Sequence, residues 1–275
     1  MSMPDTSTVK ALVFDIDGTL LSMKTHRICD STIAALRRAH ERGMKIFIAT
    51  GRHKKNFATI SELNKLPIDG FIGLNGQYCW DDTGVIYVNP IPKRDIEILL
   101  NFVLESGHGC EFLGVSEYFA NRFTPQMKEE LDRVAIAYPT VTDNPRRALE
   151  IDILQADLYL KPDDAALAVL GEMTSSKWSS WGLSGIDIMV ASGGKWNGVQ
   201  RMMEHHGLSP GEAMVFGDEE NDVDMLRNAS FSVAMGNGCE NAKAAAGFVA
   251  GHIDEGGLFE AMRTLLPQLS LKDLL

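Results

Sequence analysis

Short apolar runs recur along this chain, and each breaks at its carboxyl end into a polar, often glycine-bearing turn. The first, residues 10–14 (KALVF), reads as a strand buried on both faces and stops at Asp15-Ile16-Asp17-Gly18-Thr19. A helix over 31–42 follows, in which Asp30 or Ser31 can cap, Ile33, Leu36 and Ala39 share a face, and Gly43 ends the run. A second buried strand, residues 44–49, breaks at Thr50-Gly51-Arg52; a helix over 53–63 and a strand over 70–74 come next. This β-α-β-α-β order implies a parallel sheet with helices on its faces, because parallel neighbours need a crossover.

The pattern then changes. Residues 78–80 and 85–88 flank Asp81-Asp82-Thr83-Gly84, a turn composition that predicts a hairpin. From 91 to about 185, helical stretches (93–106, 125–137, 163–174) alternate with strand-like runs (110–115, 151–160, 178–190). After Gly193 the first pattern resumes: helix 195–206, strand 213–216, helix 221–228, strand 231–234, helix 239–245, strand 248–250 and a last helix over 257–266. The fold class is therefore α/β, a Rossmann-like parallel-sheet core with an inserted α+β domain. The predicted core is 1–83 with 187–275, and the insert is 84–186. Met202, Met203 and Met225 sit at helical positions that read as core filling.

Ligands of open parallel sheets bind outside the carboxyl ends of the strands. Here those ends carry Asp15 with Asp17, Thr50, and Asp218; Asp222 follows in the next helix, and Lys195 opens the helix before strand 213–216. Crowded carboxylates repel by about 4 kcal/mol per close pair at an effective dielectric of ~20. A hard cation such as Mg²⁺ relieves that repulsion and prefers oxygen ligands. The group suits phosphoryl chemistry: an ionised Asp15 as nucleophile, Thr50 as hydrogen-bond donor, Lys195 as a compact charge, and Gly18 allowing close backbone approach. Each residue alone has a plainer reading as a turn former, a cap or a solvated lysine; it is their order along the chain that promotes them.

Asp15-Ile-Asp-Gly-Thr-Leu-Leu, Thr50-Gly-Arg, Lys195 and Gly217-Asp-Glu-Glu-Asn-Asp222 resemble, in order, the four motifs of the haloacid dehalogenase-like phosphohydrolases. The insert between the second and third motifs, together with Leu74-Asn75-Gly76, resembles the Cof-type branch, and residues 254–261 resemble the family's tail. The resemblance implies that Asp15 becomes an aspartyl-phosphate and that Asp17 protonates the leaving alcohol and then deprotonates water. It implies Mg²⁺ held by the Asp15 carboxylate, the Asp17 carbonyl and Asp218. Asn221 and Asp222 support the metal or orient Lys195, while Thr50 and Lys195 bind the phosphoryl group. Gly18, Gly51, Arg52, Asn75 and Asn221 complete the candidate substrate contacts. One departure stands: the branch usually reads Lys-Gly in the third motif, whereas this chain reads Lys195-Trp196-Asn197-Gly198.

Charge and composition prune other functions. With 26 Lys+Arg against 37 Asp+Glu, the net charge of −11 argues against nucleic-acid phosphates or anionic lipid as partners. No apolar run approaches the roughly 20 residues of a bilayer span, and the first ten residues lack a secretion signal. Cys29, Cys79, Cys110 and Cys239 show no zinc spacing and read as reduced thiols of a cytoplasmic protein, in which the Asn228-Ala229-Ser230 sequon is idle. No G-x-x-x-x-G-K-[ST] occurs, and Gly236-Asn237-Gly238 lacks dinucleotide spacing. His205-His206 before Gly207 reads as a pair favoured by a helix C-terminus. Phe112, Trp178 and Trp181 read as core more readily than as pocket lining. The predicted activity is Mg²⁺-dependent hydrolysis of small phosphorylated metabolites, sugar phosphates first, with no obligate protein partner. A phosphomutase, or a phosphate-binding regulator without catalysis, are the alternatives.

Overall fold

The structure, a computed structural model, describes residues 5–161, 167–181 and 184–274. The chain opens with β1 (Ala11–Phe14), α1 (Asp30–Glu41), β2 (Lys45–Ala49) and β3 (Gly70–Gly73), then β4 (Tyr78–Asp81) and β5 (Gly84–Val88). The middle holds α2 (Lys93–Ser106), β6 (Gly109–Gly114), β7 (Tyr118–Ala120), α3 (Pro125–Arg133), β8 (Ile153–Tyr159), α4 (Leu167–Leu170), β9 (Ser176–Ser180) and β10 (Ile186–Val190). The last third runs α5 (Lys195–His205), β11 (Ala213–Gly217), α6 (Val223–Asn228), β12 (Phe231–Ala234), α7 (Glu240–Ala245), β13 (Phe248–Val249) and α8 (Gly257–Leu265).

Two compact units result. One comprises Met1–Thr50, Ile60–Tyr87 and Gly194–Leu275; the other comprises Gly51–Thr59 and Val88–Gly193. The first holds an eight-stranded sheet in the order β13-β12-β11-β1-β2-β3-β4-β5, parallel from β13 to β3, with β4 antiparallel to β3. All four residues of β1 are buried, as its unbroken apolar run requires. Val13, Phe47 and Val215 pack there with Val199, Met202 and Met203 of α5 and Met225 of α6, so the three methionines fill core.

The second unit holds an antiparallel sheet ordered β7-β6-β8-β10-β9. On one face Phe112, Ala156 and Ile188 pack with Ile96, Leu99 and Val103 of α2. Because side chains alternate along a strand, the residues between them face the other way. That row is Glu111, Asp157 and Asp187, aligned by register.

Several local expectations are corrected. The predicted helix over 53–63 is two 3₁₀ helices, Lys54–Thr59 and Ser61–Lys65, parted by Ile60 at φ −102° and ψ 76°. Asn56, Thr59, Ile60, Ser61 and Asn64 are weak helix formers, and no long run survives them. Neither Asp30 nor Ser31 caps α1: Cys29 occupies the cap position without a side-chain bond, and Asp30 sits in the first turn, favourable to the dipole. Helix 125–137 stops at Arg133, with Ala135 at φ +52°. The run 178–190 is two antiparallel strands, β9 and β10, while residues 182 and 183 lie outside the described residues. Of the predicted helix 163–174, residues 163–166 also lie outside them. Among the described residues, no helix is long and apolar enough to cross a membrane.

Candidate active site

The register of β1 against β11 sets Phe14 opposite Phe216, with their rings stacked at 4.5 Å. β1 ends at Phe14 and β11 one residue past Phe216, and Asp15 N–H donates to the Phe216 carbonyl at 3.0 Å. The loops after the two strands therefore start side by side, which brings Asp15 and Asp218 together across 203 residues of sequence. Gly18 carries φ +87°, a left-handed backbone open to glycine, and a Cβ there would run into the Asp218 carboxylate.

Lys195 reaches this cluster from the first residue of α5. Its Nζ lies 2.6 Å from Asp15 Oδ1 and 2.6 Å from Asp222 Oδ1, with the lysine side chain fully buried. Asp222 Oδ2 accepts from the backbone N–H groups of Asp218 (2.9 Å) and Glu219 (3.1 Å). One carboxylate thus aims the lysine and shapes the turn that carries Asp218. Single oxygens of Asp15, Asp218 and Asp222 all lie within 4.8 Å of one another.

Electrostatics follow from burial. Burial pushes the Asp15 carboxyl up to about 7, against the lowering influence of Lys195; Asp222 and Asp17 add to the rise. Burial, with Asp15 and Asp222, also holds Asp218 well above the carboxylate range, opposed by a bond from Thr19. For Lys195 burial works against the charge, but Asp15 and Asp222 outweigh it and raise the ammonium above its ordinary value. Three carboxylates facing one ammonium leave two negative charges uncompensated if all ionise. An all-oxygen donor set with that deficit fits one hard divalent cation.

The remaining predicted residues fall into two groups. Thr50 is buried directly after β2, and its carbonyl accepts from Asn75 N–H at 2.9 Å. Asn75 adopts φ +51° in the turn after β3, and its Oδ1 accepts from Asn221 Nδ2 at 2.9 Å, so these two candidates meet each other. Asp17 is half-buried, and its carboxylate is not one of the three that converge. Gly51 and Arg52 belong to the second unit, where the Gly51 carbonyl accepts from Gln155 (3.3 Å) and Arg52 Nη2 donates to the Val134 carbonyl (2.9 Å).

The departure at Trp196 is harmless to the lysine. The helix opens at Lys195, Trp196 packs partly buried against the core, and its N–H is capped by Asp224 Oδ2 at 3.2 Å. Gly198 lets α5 approach the Gly76 turn, since a Cβ at Gly198 would come within 2.8 Å of Gly76 Cα.

Two residues were missed from sequence. Thr19 Oγ1 donates to Asp218 Oδ1 at 2.7 Å, and Asn237 Nδ2 donates to the Gly18 carbonyl at 2.8 Å. Thr19 stands within the first motif, two residues after Asp17. Gly236-Asn237-Gly238, set aside as a dinucleotide motif, instead brings Gly238 so close to Asp218 that a Cβ would sit 2.6 Å from its carbonyl oxygen. Of the aromatic candidates, Phe112 is in the core of the second unit, Trp178 is 45% exposed, and Trp181 donates to Asp187 Oδ1 at 2.8 Å.

The sequence profile of haloacid dehalogenase-like hydrolases matches residues 12–262. The chain belongs to that family. It is 30% identical over 258 residues to YkrA of Bacillus subtilis (strain 168), covering 93% of this chain and 97% of the relative. Its fold resembles that of the subclass IIB sugar phosphatase BT4131, with TM-score 0.87 and 35% identity over 93% of this chain and 98% of that one. It also resembles BT1666, a phosphatase of the same superfamily from Bacteroides thetaiotaomicron, with TM-score 0.84 and 31% identity over 96% and 98% of the two chains. The chain is a Cof-type phosphatase, a phosphoric monoester hydrolase.

Proposed function

We propose that the chain hydrolyses phosphorylated sugars, with Mg²⁺ as cofactor and Asp15 as nucleophile. The observation that carries this reading is the convergence of Asp15, Asp218, Asp222 and Lys195 in one buried cluster. The sugar class is supported by the likeness to a sugar phosphatase.

Asp15, Asp218 and the Asp17 backbone carbonyl would hold the ion. When bound, it supplies positive charge that keeps Asp15 ionised at neutral pH and offsets the phosphoryl oxygens. The Asp15 carboxylate attacks phosphorus, and the ester P–O bond breaks to leave an aspartyl-phosphate. Asp17 gives its proton to the departing alkoxide, then accepts one from the water that attacks the phosphoryl group, freeing phosphate and restoring Asp15. Lys195 and Thr50 contact phosphoryl oxygens. Asp222 acts through Lys195, which it aims, rather than on the substrate. Selectivity for the sugar belongs to the inserted domain, 84–186.

Phosphate release over a panel of sugar phosphates, glycerol phosphates, nucleotides and pyridoxal phosphate, with Mg²⁺ and with chelator, tests the reading. Release of phosphate from a hexose or pentose phosphate in Mg²⁺, abolished by chelator, supports it. An isomerised sugar phosphate without free phosphate assigns a mutase instead, and hydrolysis indifferent to chelator removes the metal.

A further inference from the structure

Lys195 opens α5 and His205 closes it, ten residues or about 15 Å of helix away. At that far end α5 meets the last residue of β4. His205 Nε2 lies 3.1 Å and His206 Nε2 3.4 Å from the same oxygen, Asp81 Oδ2. Adjacent residues inside a helix diverge by about 100°. His206, however, is the C-cap, at φ −83° and ψ 9°, and both rings turn to one point. One ligand atom from each of Asp81, His205 and His206 falls within 4.8 Å of the others.

The surroundings are built to hold that geometry. The Asp81 side chain is 1% exposed. Its Oδ1 accepts from Thr83 N–H (2.8 Å) and Thr83 Oγ1 (2.6 Å), which turns Oδ2 to the imidazoles. The His206 ring packs against Phe47, with centroids 4.9 Å apart, and its Nε2 is buried without a hydrogen-bond partner among the described residues. Burial, then Lys45, lowers His206 below the ordinary imidazole range, while Asp81 acts the other way. Lys45 itself is drawn to Asp69, Nζ to Oδ1 at 2.8 Å.

A single ion pair would need only one imidazole. Tetrahedral ligands with bonds of about 2.0–2.1 Å stand about 3.3 Å apart, and the two nitrogen–oxygen separations of 3.1 and 3.4 Å bracket that spacing. A carboxylate oriented from behind by hydrogen bonds is the usual support of a metal ligand. The negative end of the α5 dipole favours a cation at the same place. We propose that Asp81, His205 and His206 form a second cation site, selective for a divalent transition metal of the zinc, nickel or copper kind. Imidazole nitrogen selects these ions over Mg²⁺. His205, 37% exposed, leaves a side open for water as fourth ligand.

The full chain, stripped with chelator, is titrated with Zn²⁺ by calorimetry and with Co²⁺ by visible absorption. Zn²⁺ binds, and Co²⁺ shows four-coordinate ligand-field bands, in the wild type and in Asp218→Asn alike, the variant lacking a carboxylate of the core cluster. The double variant His205→Gln/His206→Gln loses the bands and more than about tenfold in affinity, and Thr83→Ala loses about tenfold. Phosphate release in Mg²⁺ is unchanged in the double variant. Should that variant melt early, His205→Gln alone replaces it and must lose the bands. The site is overturned if the wild type binds neither ion, if the four-coordinate bands survive the histidine changes, or if the bands disappear with Asp218→Asn.

Discussion

In the core unit Asp15, Asp218 and Asp222 share a buried site with Lys195, while in the second unit Glu111, Asp157 and Asp187 stand in one row across β6, β8 and β10. Neutral donors serve the row: Tyr159 OH to Glu111 (2.7 Å), Gln155 to Asp157 (2.7 Å) and Trp181 to Asp187 (2.8 Å). Burial lifts Glu111 to about 7 against the pull of Tyr159, and burial, with Asp187 and Glu111, lifts Asp157 well above its range. Both clusters therefore face the same desolvation cost. Their remedies differ because their geometry differs. Loops leaving neighbouring strands let three carboxylates converge within reach of one ion, two of them on a lysine. A pleated sheet sets cross-strand neighbours side by side, and among the described residues the row is not such an ion-holding group. There burial favours the protonated carboxyls of Glu111 and Asp157.

The largest test of this contrast is Asp15→Asn, which keeps the fold and lowers the turnover of phosphate release by at least about 10³-fold. Equal turnover would remove the nucleophile and with it the reason for the core cluster. Next, Lys195→Met strands two buried carboxylates, so urea unfolding should show a loss of about 3–5 kcal/mol.

The row predicts the opposite sign. Between the ordinary 4.5 and about 7, folded Glu111 holds a proton that the unfolded chain has released. Its contribution is thus full below pH 4.5 and lost as pH rises through 7. Glu111→Gln, which cannot titrate, should match wild type near pH 4.5 and exceed it by about 1–3 kcal/mol at pH 8 in urea melts. A destabilised variant at pH 8 would mean that the row is ionised and compensated. The smallest effect belongs to Thr19→Val: loss of its bond to Asp218 should cost about 1 kcal/mol, with Mg²⁺ affinity, read by activation of phosphate release, weakened about tenfold.

Much of the core is legible in the sequence. Unbroken apolar runs ending in Asp15, Thr50 and Asp218 encode buried parallel strands and the ends at which ligands bind, because strand burial and turn chemistry are written within a few residues. The same locality explains the failures. Residues 53–63 look helical only until weak formers are counted, and His205-His206 looks like a simple helix end because Asp81 lies 124 positions earlier. Sequence by itself determined which residues are acidic, which strands are parallel and where each chain segment turns. Only the tertiary structure decided that Asp222 aims Lys195, that Asn75 meets Asn221, and that Thr19 and Asn237 brace the two loops at Asp218. Those pairings join residues 27 to 219 positions apart through strand register and helix packing, and no local period carries that information.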